Sequence, residues 1–128
     1  MISKKNTFEE VVQKLHIFRK ERGWLGIASV DLAKSIVLEA AELLEHYQWD
    51  TTDTNNNRII KKDKHKISSE VADIFTYILQ FCQVNNIDLL QETFSKIERN
   101  SKKYPAKSMK DGGQEAYDKA KKNYRKNN

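Results

Sequence analysis

The sequence predicts an all-α fold, a four-helix bundle followed by a basic C-terminal tail, on three observations. Only four glycines and one proline punctuate 128 residues, too few for a loop-rich or all-β chain. Apolar residues recur at helical spacing in four successive segments, and no stretch alternates apolar and polar residues as a half-buried strand does. A chain of this length is one domain. With 38% hydrophobic and 32% charged residues its core is modest, which favours self-association. The expected division is a helical domain over residues 1–105 and a basic, flexible tail over residues 106–128.

The first helix starts at Thr7, where Glu10 three residues on completes a capping-box pattern. It carries Phe8, Val11, Val12, Leu15 and Phe18 towards Gly23. The second runs from Ser29–Asp31 to about Trp49. The polar stretch from Asp50 to Lys64, with Asn55, Asn56 and Asn57 in succession, reads as a flexible loop. The third helix runs from about His65 to Val84, and Asn85-Asn86 marks its end. The fourth begins near Asp88 and stops before Pro105, because the residue preceding a proline resists helical geometry. Asp111-Gly112-Gly113 reads as a turn, and Gln114 to Arg125 as a short helix or a mobile segment.

Charge and cysteine usage narrow the function classes. The single Cys82 excludes an internal disulfide framework and fits a reducing, cytoplasmic setting. Lying among Ile78, Leu79 and Phe81, it reads as a small buried residue. No apolar run approaches the ~20 residues needed to span a bilayer, and the polar N-terminus has no apolar signal core. The net charge of +5 is concentrated at one end: residues 102–128 hold nine Lys/Arg against three Asp/Glu, and the remainder holds 14 against 15. A near-neutral body with a basic tail is not the basic stripe of a folded nucleic-acid-binding face. Neither a membrane nor a nucleic acid is expected as a partner.

Helices two and three carry the informative residues. Each has a carboxylate pair at i and i+3, Glu39 with Glu42 and Glu70 with Asp73, and residues three apart share a helix face. Both pairs sit at the margin of their helix's apolar stripe, displaced in the same sense. If the two helices pack antiparallel through those stripes, the four carboxylates converge at the edge of the core. Converging carboxylates repel unless neutralised, and hard divalent cations prefer such oxygen donors. From spacing alone, a metal site and a solvated acidic face both stay open. A di-iron centre would need Glu-x-x-His on two helices, whereas none of His16, His46 and His65 lies three residues after a glutamate. His46 follows Glu45 on the outer face, where it is expected to be solvent-exposed or close to a substrate.

Four segments taken in order, FRKERGW (Phe18 to Trp24), DLAKSIVLEAAELLEHYQW (Asp31 to Trp49), EVADIFTYIL (Glu70 to Leu79) and KIERNSKKYP (Lys96 to Pro105), give the chain a resemblance. It resembles the all-α nucleoside triphosphate pyrophosphohydrolases, the MazG-like group that includes the dCTP pyrophosphatases. The resemblance implies that Glu39, Glu42, Glu70 and Asp73 ligate Mg²⁺, with Mn²⁺ as an alternative. It further implies hydrolysis of a nucleoside triphosphate to the monophosphate and pyrophosphate, and a homodimer or homotetramer. Trp24 and Trp49 match tryptophans near the base, and Tyr77 a tyrosine of the same pocket. Lys96, Asn100 and Lys103, at i, i+4 and i+7, suit triphosphate oxygens. Glu45 adds a third acidic turn that could orient the attacking water. Two departures bear on base and sugar selectivity more than on metal chemistry. Leu38 stands where the fuller motif has a first glutamate, and Leu25 to Val30 lacks the histidine and proline that many relatives carry.

Overall fold

The computed structural model describes residues 5–49 and 58–128, and every regular element among them is helical. The five helices are α1 (Phe8–Glu21), α2 (Ser29–Glu45), α3 (Arg58–Val84), α4 (Leu89–Lys103) and α5 (Ala106–Asn127). They form two compact units, one ending at Ile87 and the other spanning Asp88–Asn128. No described helix is long and apolar enough to cross a membrane.

In the first unit α1 begins as the sequence predicts. The Thr7 hydroxyl accepts the Glu10 N–H and the Glu10 carboxylate accepts the Thr7 N–H, satisfying two N–H groups that the helix leaves without intrahelical partners. Its other end is a Schellman closure. The Gly23 N–H bonds the Lys20 carbonyl and the Trp24 N–H reaches back to the Arg19 carbonyl, with Gly23 at a left-handed φ of 69°. This turn throws Trp24 back against Phe18, edge to face with ring centroids 5.8 Å apart, the apolar contact that usually accompanies such a closure. The buried Arg19 secures the turn, its guanidinium donating to the Trp24 carbonyl at 3.0 Å and to the Gln83 side chain at 3.1 Å.

α2 and α3 run antiparallel. Ser29 bonds Asn85 at one end, and His46 lies against Glu70 at the other. Their seam and its surroundings bury Leu32, Ile67, Leu79 and Cys82, with Ile59 at the start of α3. Burial pushes the Cys82 thiol up, so it stays protonated and packs as a small apolar residue. α1 runs in the same direction as α3, with Phe8 against Phe75 and the Gln83 amide donating to the Val12 carbonyl. α3 ends at Asn85-Asn86 as expected. Asn86 adopts φ 52° and the Ile87 N–H bonds the Cys82 carbonyl, a conformation that asparagine tolerates better than most side chains.

Two boundaries differ from the sequence reading. α2 stops at Glu45 and gives way to a turn, four residues short of Trp49. α3 starts at Arg58, not His65, with a kink at Asp63 (φ −117°, ψ 24°) that the apolar pattern of its main part does not reveal. The remainder of the expected loop, residues 50–57, lies outside the described residues.

In the second unit Asp88 caps α4 by accepting the Gln91 N–H, and the helix stops before Pro105 as expected. The segment expected as a flexible tail is instead the kinked helix α5, which passes the expected turn through Gly113 at φ 55°. The reason is aromatic. Tyr104 and Tyr117 stack at 4.9 Å and 10°, and the Lys103 ammonium lies 4.5 Å from the Tyr124 ring centroid, tying α5 to the end of α4. The charge of this segment suggests a solvated tail, whereas the spacing of its tyrosines is what orders it.

The backbone at Gly23 predicts a contrast. Gly23→Ala should lower stability by about 1 kcal/mol, because a side chain is strained at that φ. Gly26→Ala, with open space around it and no left-handed φ, should be neutral or slightly stabilising. Urea unfolding of both variants measures the difference.

Candidate active site

Because α2 ascends as α3 descends, the two carboxylate pairs face each other across the seam. Glu39, Glu70 and Asp73 each place a carboxylate oxygen within 4.8 Å of the other two. Glu42 stands outside that trio, yet it is close enough to Glu70 for that neighbour to help raise its carboxyl. Glu45, exposed at the end of α2, adds its charge to the field at Glu42. Glu39 and Glu70 are half-buried and Asp73 is exposed, so the group lies at the rim of the core.

The electrostatics are those of an acidic cluster without enough positive charge. Burial, then Asp73 and Glu70, hold the Glu39 carboxyl above its ordinary range. Glu42 is raised first by Glu39, then by burial and by Glu70. Among the causes of either shift within the described residues there is no lysine or arginine. His46 is the exception to its outward projection. Its Nε2 lies 3.5 Å from a Glu70 oxygen, with both side chains about four-fifths covered. The missed signal was its i+4 spacing from Glu42, which sets both on one face. An all-oxygen, anionic donor set of this kind could hold a hard metal ion.

Asp73 also lines a groove of about 620 Å³ in the same unit, a size typical of small-molecule sites. Tyr77 and Trp24 line it as well, Tyr77 through its i+4 relation to Asp73 and Trp24 through the Gly23 turn. Phe18 joins them, with the Arg22 guanidinium 3.8 Å from its ring centroid. Trp49 is not brought to this groove. It follows the end of α2, 89% exposed. Lys96, Asn100 and Lys103 share one side of α4 in the second unit, where Lys96 is exposed and the Lys103 ammonium sits between the rings of Tyr104 and Tyr124. Lys14 on α1 and Gln80 on α3 are among the lining residues that the sequence analysis does not single out. Gln80 was recoverable, since it continues the Asp73–Tyr77 row by one more turn.

The chain matches the MazG-like family over residues 34–118, which takes in all four carboxylates. It belongs to the MazG-like family. This MazG-like chain is 28% identical over 99 residues to dCTP pyrophosphatase 1 of Mus musculus, a match covering 75% of this chain and 58% of that protein. The matched region thus spans about three fifths of that relative's length. A pyrophosphatase of Archaeoglobus fulgidus, known from a crystal structure, shares the fold with a TM-score of 0.74 and 34% identity. That match covers 82% of this chain and 98% of the archaeal one.

The raised carboxyls set the sign of a pH effect. A carboxyl whose pKa is higher folded than unfolded contributes stability in acid and loses it as pH rises through the folded value. At neutral pH the metal-free protein therefore carries the full repulsion of the cluster. Adding Mn²⁺ should raise the melting temperature there, and the rise should shrink as the pH falls into the carboxylate range. Glu42→Gln should stabilise the metal-free protein at neutral pH. Thermal melts with and without the ion, across pH, measure both.

Proposed function

We propose that this chain is a Mg²⁺-dependent nucleoside triphosphate pyrophosphohydrolase, converting a (d)NTP and water to the (d)NMP and pyrophosphate. The observation that carries the reading is the juxtaposition of an oxygen-donor cluster and a nucleoside-sized groove, joined through Asp73. The names of the murine and archaeal relatives support the same chemistry.

In this reading Glu39, Glu42, Glu70 and Asp73 hold the cation, Mg²⁺ or alternatively Mn²⁺. Bound there, such an ion polarises phosphoryl oxygens and acidifies a coordinated water. Phe18, Trp24 and Tyr77 enclose the base, and Trp49 contributes to base contact from beyond α2. Lys14, at the groove, and Lys96, Asn100 and Lys103, on α4, bind phosphate oxygens and offset charge that develops on the leaving pyrophosphate. Glu45 orients the water for attack at the α-phosphorus. No covalent enzyme intermediate forms, and the P–O bond to the β-phosphate breaks as the water oxygen bonds.

Self-association as a homodimer or homotetramer, with a neighbouring subunit completing each site, is part of the proposal. The apolar residues left exposed on α4, Leu90, Phe94 and Ile97, support it, as do Val37 and Leu38 on α2. Catalysis is assigned to residues 1–105, with the basic segment 106–128 dispensable for it. Removal of noncanonical or excess nucleotides from a cytoplasmic pool is the role this chemistry suits. The same exposed faces favour one other reading, a non-catalytic helical module that only self-associates or binds a partner.

A panel of natural and modified dNTPs and NTPs, scored for pyrophosphate against orthophosphate, separates the two. Mg²⁺-dependent pyrophosphate release is expected. It should fall at least about a hundredfold in Asp73→Ala and persist when the chain is cut after residue 105. No turnover on any substrate would leave the interaction module standing, and turnover that survives Asp73→Ala would remove the carboxylate site.

A further inference from the structure

Asp73, Tyr77 and Gln80 lie at i, i+4 and i+7 on α3, so one face carries them in a row from the acidic cluster along the groove. At the helical rise Gln80 stands about 10 Å from Asp73, the scale that separates the first phosphate of a nucleotide from the edge of its base. Gln80 is only 8% exposed. Its carboxamide nonetheless makes no hydrogen bond to any described residue, and its polar atoms are not sealed off. The residue lines the groove, so that is where its amide can meet a ligand.

The contrast with Gln83, three residues on, is informative. Gln83 accepts from Arg19 and donates to the Val12 carbonyl, so its amide is used up in joining α1 to α3. Gln80 has no such work. A covered carboxamide without a protein partner is costly, and in a groove it is a group kept for a ligand.

We propose that Gln80 is a specificity-determining residue that hydrogen-bonds the edge of the nucleobase. The inference rests on the nucleotide reading above and adds to it the group that reads the base. A carboxamide presents one acceptor beside two donors. It therefore pairs with an amino group next to a ring nitrogen, or with a carbonyl next to a ring N–H. A ligand that brings neither to that depth leaves the amide unpaired, and an unpaired buried polar group is what makes a site discriminate. Phe18 and Trp24 contribute ring contact that every base satisfies, so the selection falls to Gln80.

The test compares the full-length chain with Gln80→Met, which keeps length and volume but cannot hydrogen-bond in the same way, and with Gln80→Glu, which keeps shape but loses the donors. Substrates are the four natural dNTPs and a deoxyribose triphosphate that lacks a base. In Gln80→Met, kcat/KM for the preferred dNTP should fall about tenfold, the worth of one net hydrogen bond. The spread among the four should narrow accordingly, with the baseless substrate little changed. An unchanged order and spread would overturn the inference. If Gln80→Met does not fold, Gln80→Glu decides: preference should move towards bases that present an amino group, and an unmoved order overturns it. If the unaltered chain hydrolyses none of the substrates, the hydrolase reading fails separately. Equilibrium dialysis with the four dNMPs then decides Gln80. Ranked binding that Gln80→Met flattens sustains it, and absent or unaltered ranking overturns it.

Discussion

The structure of the first unit is organised around a repulsion. Glu39 and Glu42 on α2 oppose Glu70 and Asp73 on α3, and among the described residues no lysine or arginine counters the upward shift of the Glu39 and Glu42 carboxyls. Left to themselves, two helices so charged would separate along that edge. What holds them is apolar: Leu32 and Leu79 are almost wholly buried, and each contributes about 1.5–3 kcal/mol on burial. The hydrogen bond between Ser29 and Asn85 at the far end fixes the register. A seam that is apolar inside and acidic at its rim keeps the carboxylates together at a place that water and ions can reach.

The groove depends on the same frame. Asp73 belongs to both features, and the turn of α3 that carries it also carries Thr76 and Tyr77 to the groove wall. The opposite wall comes from α1, held along α3 by Gln83 and Arg19. Arg19 is a buried cation whose Nε finds no partner among the described residues, a cost accepted where one of its other nitrogens holds the Trp24 carbonyl and the other the Gln83 side chain. That anchor, with the left-handed Gly23, sets where the indole stands. The Trp24 ring is thus placed at the groove by backbone chemistry, not by loop flexibility.

Much of this was legible in the sequence, for identifiable reasons. The Thr7–Glu10 box, the Asn85-Asn86 stop and the Pro105 limit are local signals read within a few residues, and each fell where expected. The convergence of the acidic pairs needed only helical periodicity and an antiparallel assumption. His46 and Gln80 were also within reach of periodicity, one turn from residues already singled out, but they carried no motif that drew notice. The start of α3 and the order of α5 were not legible. Both depend on contacts remote from the residues concerned: α5 is secured by stacking of Tyr117 on Tyr104, while the run of lysines around it suggests a solvated tail. Trp49 is the contrasting case. Its place in a family-like motif suggests a base contact, and the early end of α2 leaves it exposed and outside the lining of the groove that Trp24 enters.

The central claim is that these four carboxylates constitute one divalent-cation site. Electron paramagnetic resonance of Mn²⁺ tests it without turnover, because the free ion gives a signal that binding broadens away. Titration into the unaltered protein at neutral pH should deplete the free-ion signal saturably, while Asp73→Asn combined with Glu39→Gln should leave it close to that of buffer. Equal uptake by the two proteins, or no uptake by either, would contradict the account.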